Sequence, residues 1–270
     1  MTRVLIVGAN APPEPVGIGK YTGELAEWLA ARGHTVELIC APPAYPHWRI
    51  DPGHRGWRYA RKTCRGVRLW RCPLYVPRRP GGLGRLLQGL SFGLSCFPVA
   101  LWRATWQRPG VVLCVVPTLF AAPAALVAAR LTGAAAWLHV QDLEIDAAFS
   151  LGLLRGRGLG AVAGALEGWL LRRFDRVTTI SKAMQGQLVR KGVAPERIAL
   201  LRNWVDTQAI RPQPRTAALR REFGLPATGT VALYAGSFGC KHGLDALVER
   251  YEIDGTPLLE KYPALDYILG

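Results

Sequence analysis

The stretch Arg3-Val4-Leu5-Ile6-Val7-Gly8-Ala9-Asn10, continued by Gly17-Ile18-Gly19-Lys20-Tyr21 and closed by Thr35-Val36-Glu37-Leu38-Ile39-Cys40, decides the fold. Val4 to Val7 is a short apolar run of buried-strand type. A loop rich in Gly and Pro follows, and Tyr21, Leu25, Trp28 and Leu29 then recur at helical spacing. Gly33 ends that helix, and Thr35 to Cys40 is the next strand. Strand, helix and strand in so short a span imply a parallel βαβ unit, because two parallel strands need a crossover between them.

The same alternation returns further along. Val111 to Val116 reads as a strand, Leu119 to Leu131 as a helix closed by Gly133, and Ala134 to Val140 as a strand. A helix over Leu159 to Phe174 follows, with Glu167 and Arg172-Arg173 on its polar side. Arg176 to Ile180 is a strand, Ser181 caps a helix running to Gly192, and Ile198 to Leu201 is a last strand. The pattern predicts a doubly wound, Rossmann-like α/β domain over residues 1–205. Pro212, Pro214 and Pro226 flank a short helix, Ala217 to Phe223, and mark a linker over 206–229. Thr230 to Tyr234 opens a second Rossmann-like domain, of which 230–270 is only the start, with a divergent tail.

Composition narrows the class. Half of the 270 residues are apolar, enough for a real core. The 34 Lys and Arg against 19 Asp and Glu point to an anionic partner. Six scattered cysteines form no CxxC pair, which predicts reduced buried thiols rather than disulfides or a metal site. Val111 to Ala129 carries no charge, yet Pro117 and the change from β-branched to small residues favour a strand and helix over a membrane span. The apolar run Val4 to Val7 is too short for a secretory signal, and the expectation is a cytoplasmic protein.

Four segments carry candidate chemistry. Gly17 and Gly19, with Lys20 beside them, precede a helix N-terminus, where a phosphate or sugar can approach the backbone. The loop is too long for the dinucleotide fingerprint, which disfavours a nicotinamide dehydrogenase. His139, Gln141, Asp142, Glu144 and Asp146 lie at the end of a strand, the place where open α/β sheets hold their ligands. A His with a nearby Asp there positions a sugar hydroxyl or moves a proton. Gly236 and Lys241 sit in a second strand-to-helix loop that suits a pyrophosphate. Finally, Arg49 to Arg79 holds ten Lys or Arg, one acid (Asp51), and Trp57, Tyr59, Trp70 and Tyr75, with Trp48 just before it. The apolar segment Gly82 to Pro98 comes next. Together these favour a membrane surface over nucleic acid; a solvated arm followed by a core helix is the alternative.

The motifs taken together resemble a family. Gly17-Ile18-Gly19-Lys20-Tyr21-Thr22-Gly23-Glu24-Leu25, Ala41-Pro42-Pro43-Ala44-Tyr45-Pro46, Trp70-Arg71-Cys72-Pro73-Leu74-Tyr75-Val76-Pro77, Val116-Pro117-Thr118-Leu119-Phe120, His139-Val140-Gln141-Asp142 and Asn203-Trp204 are similar to the colanic-acid-biosynthesis glycosyltransferases, in family four of the retaining GT-B enzymes. The resemblance runs over about residues 3 to 248. It implies two Rossmann-like domains across a cleft, the first binding an acceptor, commonly a lipid-linked pyrophosphate sugar, and the second a nucleotide-sugar donor. It implies transfer with retention, no metal and no cofactor beyond the donor, and a place at the inner face of the cell membrane. By that resemblance Gly17 and Gly19 line the cleft, His139 approaches the transferred sugar and Lys241 meets the donor phosphates; the reading of the residues adds Asp142 to His139 for catalysis, Lys20 and Glu144 to the glycines for the substrate, and Gly236 to Lys241 for the phosphates.

The chain also departs from the family. Cys240 stands where many relatives carry Arg, and the paired glutamates that hold the donor have no counterpart in Glu249, Glu252 or Glu260. The expectation is a transferase truncated on its donor side and inactive alone. A non-catalytic remnant or acceptor-lipid binding module is the alternative.

Overall fold

The computed structural model describes residues 1–14, 17–45, 47–78, 81–117, 119–143, 157–212, 217–224, 252–253 and 256–257. They fall into two compact units, Met1–Trp204 and Val205–Gly270. Gly236, Lys241 and Glu144 lie outside the described residues, as do Cys240 and Asp146.

The first unit is built on strands β1 (Arg3–Val7), β2 (Thr35–Cys40), β3 (Ala60–Cys64), β4 (Val67–Arg71), β5 (Val111–Val116), β6 (Ala135–Val140), β7 (Arg176–Thr179) and β8 (Ile198–Leu200). They form one sheet in the order β3-β4-β2-β1-β5-β6-β7-β8. Every described pairing in it is parallel except that of β3 with β4. Winding proceeds one way from β1 through β2 and β4, and the other way from β1 through β5 to β8. The direction therefore reverses beside β1, where a crevice opens above the strand C-termini. Val7 pairs with Ile39 on one side and with Cys114 on the other. These central strands are apolar without alternation because helices cover both faces.

Helix α1 (Gly17–Ala31) covers one face, over Val4, Ile6, Val36, Leu38 and Val115. Helices α2 (Gly82–Gln107), α3 (Ala122–Thr132), α4 (Arg157–Leu171) and α5 (Lys182–Arg190) complete the unit, and a larger apolar cluster fills the opposite face. There Phe92, Cys96, Ala100 and Ala104 of α2 meet the small buried residues of α3. A Cβ at Gly93 would lie 2.5 Å from the Phe120 carbonyl, so α2 approaches that turn by virtue of a glycine. Gly133 closes α3 in the left-handed conformation, and the Ser181 hydroxyl caps α5 by accepting from Met184 N–H at 3.2 Å. The charge-free stretch after Gly110 is thus strand β5 and helix α3, and none of the described helices is long and apolar enough to cross a membrane.

Two features differ from the sequence expectation. The basic, aromatic stretch contains a β-hairpin, β3–β4, turned on Arg65 (φ 47°) and Gly66 (φ 79°). Two consecutive positive φ values suit the right-handed twist of a tight hairpin. Glu167 is buried rather than on a polar face, and it accepts from Lys191 Nζ at 2.5 Å. In the second unit, α6 (Ala217–Glu222) and a short antiparallel pair, β9 (Glu252–Ile253) with β10 (Thr256–Pro257), are described.

Candidate active site

The loop after β1 is fixed by its own packing onto α1. Glu14, 6% exposed, accepts from Asn10 Nδ2 at 3.0 Å and from the backbone N–H groups of Ala44 and Tyr45 at 3.3 and 3.4 Å. It joins the loop after β1 to the loop after β2. Arg71, at the end of β4, makes the same connection by donating to the Ala41 and Pro12 carbonyls. Burial pushes the Glu14 carboxyl above its ordinary range; the hydrogen bonds and the Arg71 charge oppose that rise.

The glycines of this motif divide the work. Gly17 has φ +62° and open space where a side chain would stand, so it gives both the turn into α1 and room for a ligand. Gly19 is different: a Cβ there would lie 2.6 Å from Glu14 Oε2. A Cβ at Gly23 would overlap the Pro12 ring. These two glycines let the loop lie flat on the helix. Lys20 turns to its own helix, 3.2 Å from Glu24 and over the Tyr21 ring at 4.6 Å. Trp204 completes the group, donating to Glu24 at 2.6 Å and meeting Tyr21 edge-on at 5.3 Å.

At the end of β6, His139 is 3% exposed, with its Nδ1 3.0 Å from Thr178 Oγ1. Trp137 Nε1, which can only donate, also meets that hydroxyl at 3.0 Å. The Thr178 hydroxyl also donates to the Leu138 carbonyl at 3.4 Å. Burial lowers the pKa from 6.5 to about 4, against a hydrogen bond to the Thr178 backbone that raises it, so the ring is neutral at pH 7. Asp142 stands past the strand end, its Oδ1 accepting from Leu143 N–H at 2.9 Å. Among the described residues no group of three or more His, Cys, Asp and Glu gathers at metal-binding range. The buried thiols of Cys40 and Cys96 are pushed up to about 11 and about 12 by desolvation.

Sequence reasoning missed Glu14, Arg71, Thr178 and Glu37. Glu37 is fully buried in β2; Arg103 Nε and Nη2 donate to it at 2.7 and 2.8 Å, Arg68 at 2.9 Å and Trp70 Nε1 at 3.0 Å. A carboxylate inside the run Thr35 to Cys40 was itself the signal, since such a charge is buried only with partners.

A doubly wound sheet with its polar loops gathered at the switch point is the architecture of one Rossmann-like domain of the GT-B fold. Residues 16–204 match the glycosyl transferase 4-like domain, and the chain belongs to that family. It is 42% identical over 253 residues to a protein of Escherichia coli (strain K12) bearing the name colanic acid biosynthesis glycosyl transferase WcaI. That match takes in 92% of this chain and 61% of the relative, so the chain spans about three fifths of its length. Among solved structures, sucrose-phosphate synthase of Thermosynechococcus elongatus is similar in fold, with TM-score 0.60 at 15% identity, over 92% of this chain and 59% of that one. Anabaena HepE in complex with UDP-glucose aligns with TM-score 0.50 at 15% identity, over 83% and 50% of the two chains.

Proposed function

We propose that this protein transfers a sugar from a nucleotide-sugar donor to a lipid-linked acceptor, with retention of configuration, in exopolysaccharide biosynthesis. The described unit forms the acceptor side. The observation that carries the reading is the immobilised loop pair at the switch point, held by Glu14 and Arg71, in a chain 42% identical to the transferase-named relative. Gly17 lies open there beside an α1 N-terminus that favours an anion. HepE, a structural neighbour, is described in complex with UDP-glucose, which supports a nucleotide sugar as donor.

In this reading His139 acts as a neutral donor that positions a sugar hydroxyl, with Asp142 next to it. Gly19 and Lys20 act indirectly, by holding the loop and the first turn of α1. Glu144, Gly236 and Lys241 complete the acceptor and phosphate contacts. The exposed leucines of α2, with the basic hairpin beside them, support work at the inner face of the membrane.

The test is transfer of labelled sugar from a panel of nucleotide sugars into the lipid-extractable fraction of a membrane extract. The expected result is no label with the 270-residue protein alone, and label from one donor, in the donor's anomeric configuration, once a second chain supplies a donor-binding half. Label only in water-soluble products, or an inverted linkage, overturns the reading. Retention of the lipid-linked saccharide without transfer from any donor selects an acceptor-lipid binding module instead.

A further inference from the structure

Helix α2 has 26 residues, about 39 Å at 1.5 Å per residue, whereas the strands it crosses are five or six residues long, about 20 Å at most. It buries residues only from Phe92 onward, so its first turns overhang the strand C-termini. An exposed apolar row runs almost the whole length of the helix. Leu83, Leu87, Leu90 and Leu94 follow one another in steps of three or four, the spacing that aligns side chains on successive turns. The row goes on in steps of four through Pro98 to Trp102 and Trp106. Leu83 is exposed to 71%, Leu94 to 67% and Trp106 to 76%. With Leu86 beside it, the row offers roughly 700 Å² of apolar surface, more than the roughly 300–600 Å² of the largest patch on a typical monomer. It approaches the roughly 800 Å² that each partner buries in a standard interface.

The two halves of the row differ. The first half presents leucines. The second half borders a cavity of about 490 Å³ between α2 and the β3–β4 hairpin, lined by Tyr59, Arg61, Trp70, Pro98, Val99 and Trp102. Its aromatic walls are fixed. Trp70 meets Trp102 edge-to-face at 5.2 Å and donates to the buried Glu37 at 3.0 Å, and Tyr59 donates to the Ser95 carbonyl at 3.1 Å. Knobs and hollow thus lie on one helix, on either side of Leu94. A two-fold pair demands this, because each surface must then complement itself. An antiparallel pair centred between Leu94 and Ser95 sets Leu83 against Trp106, Leu87 against Trp102 and Leu90 against Val99. The row itself holds no charge, so nothing along the contact repels a second copy. A small ligand in the cavity would leave the leucines bare, and a flat bilayer would leave the cavity unfilled.

We propose that this face is the docking site for a second copy of the chain. Two α2 helices pack antiparallel about a dyad beside Leu94, each placing Leu87 and Leu90 in the mouth of the other's aromatic cavity. Trp102 and Trp106 are the anchors, of the residue type that most often dominates interface energetics. The pairing goes beyond the transfer reading and does not depend on it. It bears on the membrane as well, since a bilayer and a second copy compete for the same leucines.

The test is size-exclusion chromatography with light scattering on the 270-residue protein. Twice the mass of one chain is expected at about 10 µM, because interfaces of this area bind in the micromolar range or more tightly. Each copy carries a net charge of +15, so salt is expected to strengthen the pair by screening, whereas it weakens adsorption to anionic lipid. Leu94→Glu brings two carboxylates together at the dyad and is expected to weaken pairing at least about 100-fold. The position is exposed, and circular dichroism checks the fold. On oxidation Leu94→Cys is expected to form an inter-chain disulfide that the wild type does not; Leu83→Cys, about 17 Å from the dyad along the helix, is expected to form none. A monomer at that concentration, a dimer that Leu94→Glu leaves intact, or crosslinking as ready at Leu83→Cys as at Leu94→Cys overturns the proposal. A monomer that adsorbs to phosphatidylglycerol vesicles through the same leucines assigns the face to the membrane alone and overturns it as well. A pair that persists on those vesicles overturns the membrane reading of the leucines and leaves the pairing standing.

Discussion

Replacing Glu37 by Ala perturbs the frame of both candidate sites, and its effect follows from the geometry. Glu37 is fully buried and accepts four hydrogen bonds, three of them from guanidinium groups. The Arg103 side chain is only 6% exposed, whereas Arg68 is 45% exposed. In Glu37→Ala, Arg68 turns to water without much loss. Arg103 cannot, and an uncompensated buried cation costs about 3–5 kcal/mol. Domains of this size are stable by about 5–15 kcal/mol, so a large part of the margin goes. At about 2–4 °C per kcal/mol the midpoint falls by about 6–20 °C. Urea unfolding followed by tryptophan fluorescence measures the loss. A second variant, Glu37→Leu with Arg103→Met, removes both charges and fills the space, so it is expected to recover most of the stability. A Glu37→Ala protein within 1 kcal/mol of wild type, or a double variant no better than the single one, would refute the argument.

Acidification offers a further check. Because the folded His139 has its pKa lowered from 6.5 to about 4, it binds fewer protons than the unfolded chain between those values. Its stabilising contribution is complete above pH 6.5, falls as pH drops, and levels off below about 4, a total of about 3 kcal/mol; urea midpoints at pH 7 and pH 4 for wild type and His139→Gln read the difference. Gly19→Ala drives a methyl group to 2.6 Å from Glu14 Oε2 and is expected to cost about 1–3 kcal/mol, with denaturant unfolding as the measure. Wild-type stability in that variant would show that the loop does not press on α1. Ser181→Ala removes the cap on Met184 N–H and is expected to cost about 1 kcal/mol in the same assay.

The alternation of strands and helices was legible because each element carries its own signal. The runs Thr35 to Cys40 and Val111 to Val116 are strands with the bounds their apolar residues give, and Gly133 and Ser181 stand at helix ends for local backbone reasons. The hairpin β3–β4 was not legible, because Arg61, Lys62 and Arg68 make it look like a solvated arm. Only the pair Arg65-Gly66 between alternating residues marked its turn. The apolar segment Gly82 to Pro98, read as an interfacial element with a core helix as the alternative, is part of helix α2, which runs on to Gln107: packing of Ala100 and Ala104 offsets the one hydrogen bond that proline removes. Site partners fared worse because they come from distant chain segments. Thr178 reaches His139 only through the pairing of β7 with β6, and Arg103 reaches Glu37 only because α2 lies across β2.

The two candidate sites share one structural origin. Successive residues of a strand point to opposite faces of the sheet, and β4 uses this at its C-terminal end. Trp70 turns toward α2, where it binds Glu37 and forms a wall of the aromatic cavity. Arg71, the next residue, turns the other way and ties the Pro12 and Ala41 carbonyls, fixing the loop that carries Gly17. A displacement of β4 along its axis would disturb both at once. The Glu37 cluster, which holds β2, β4 and α2 together through Arg68, Trp70 and Arg103, resists that displacement. A buried charge network is a poor source of net stability, and its value here lies in register: it keeps Trp70 against α2 and Arg71 on the loop that carries Gly17 at a constant separation.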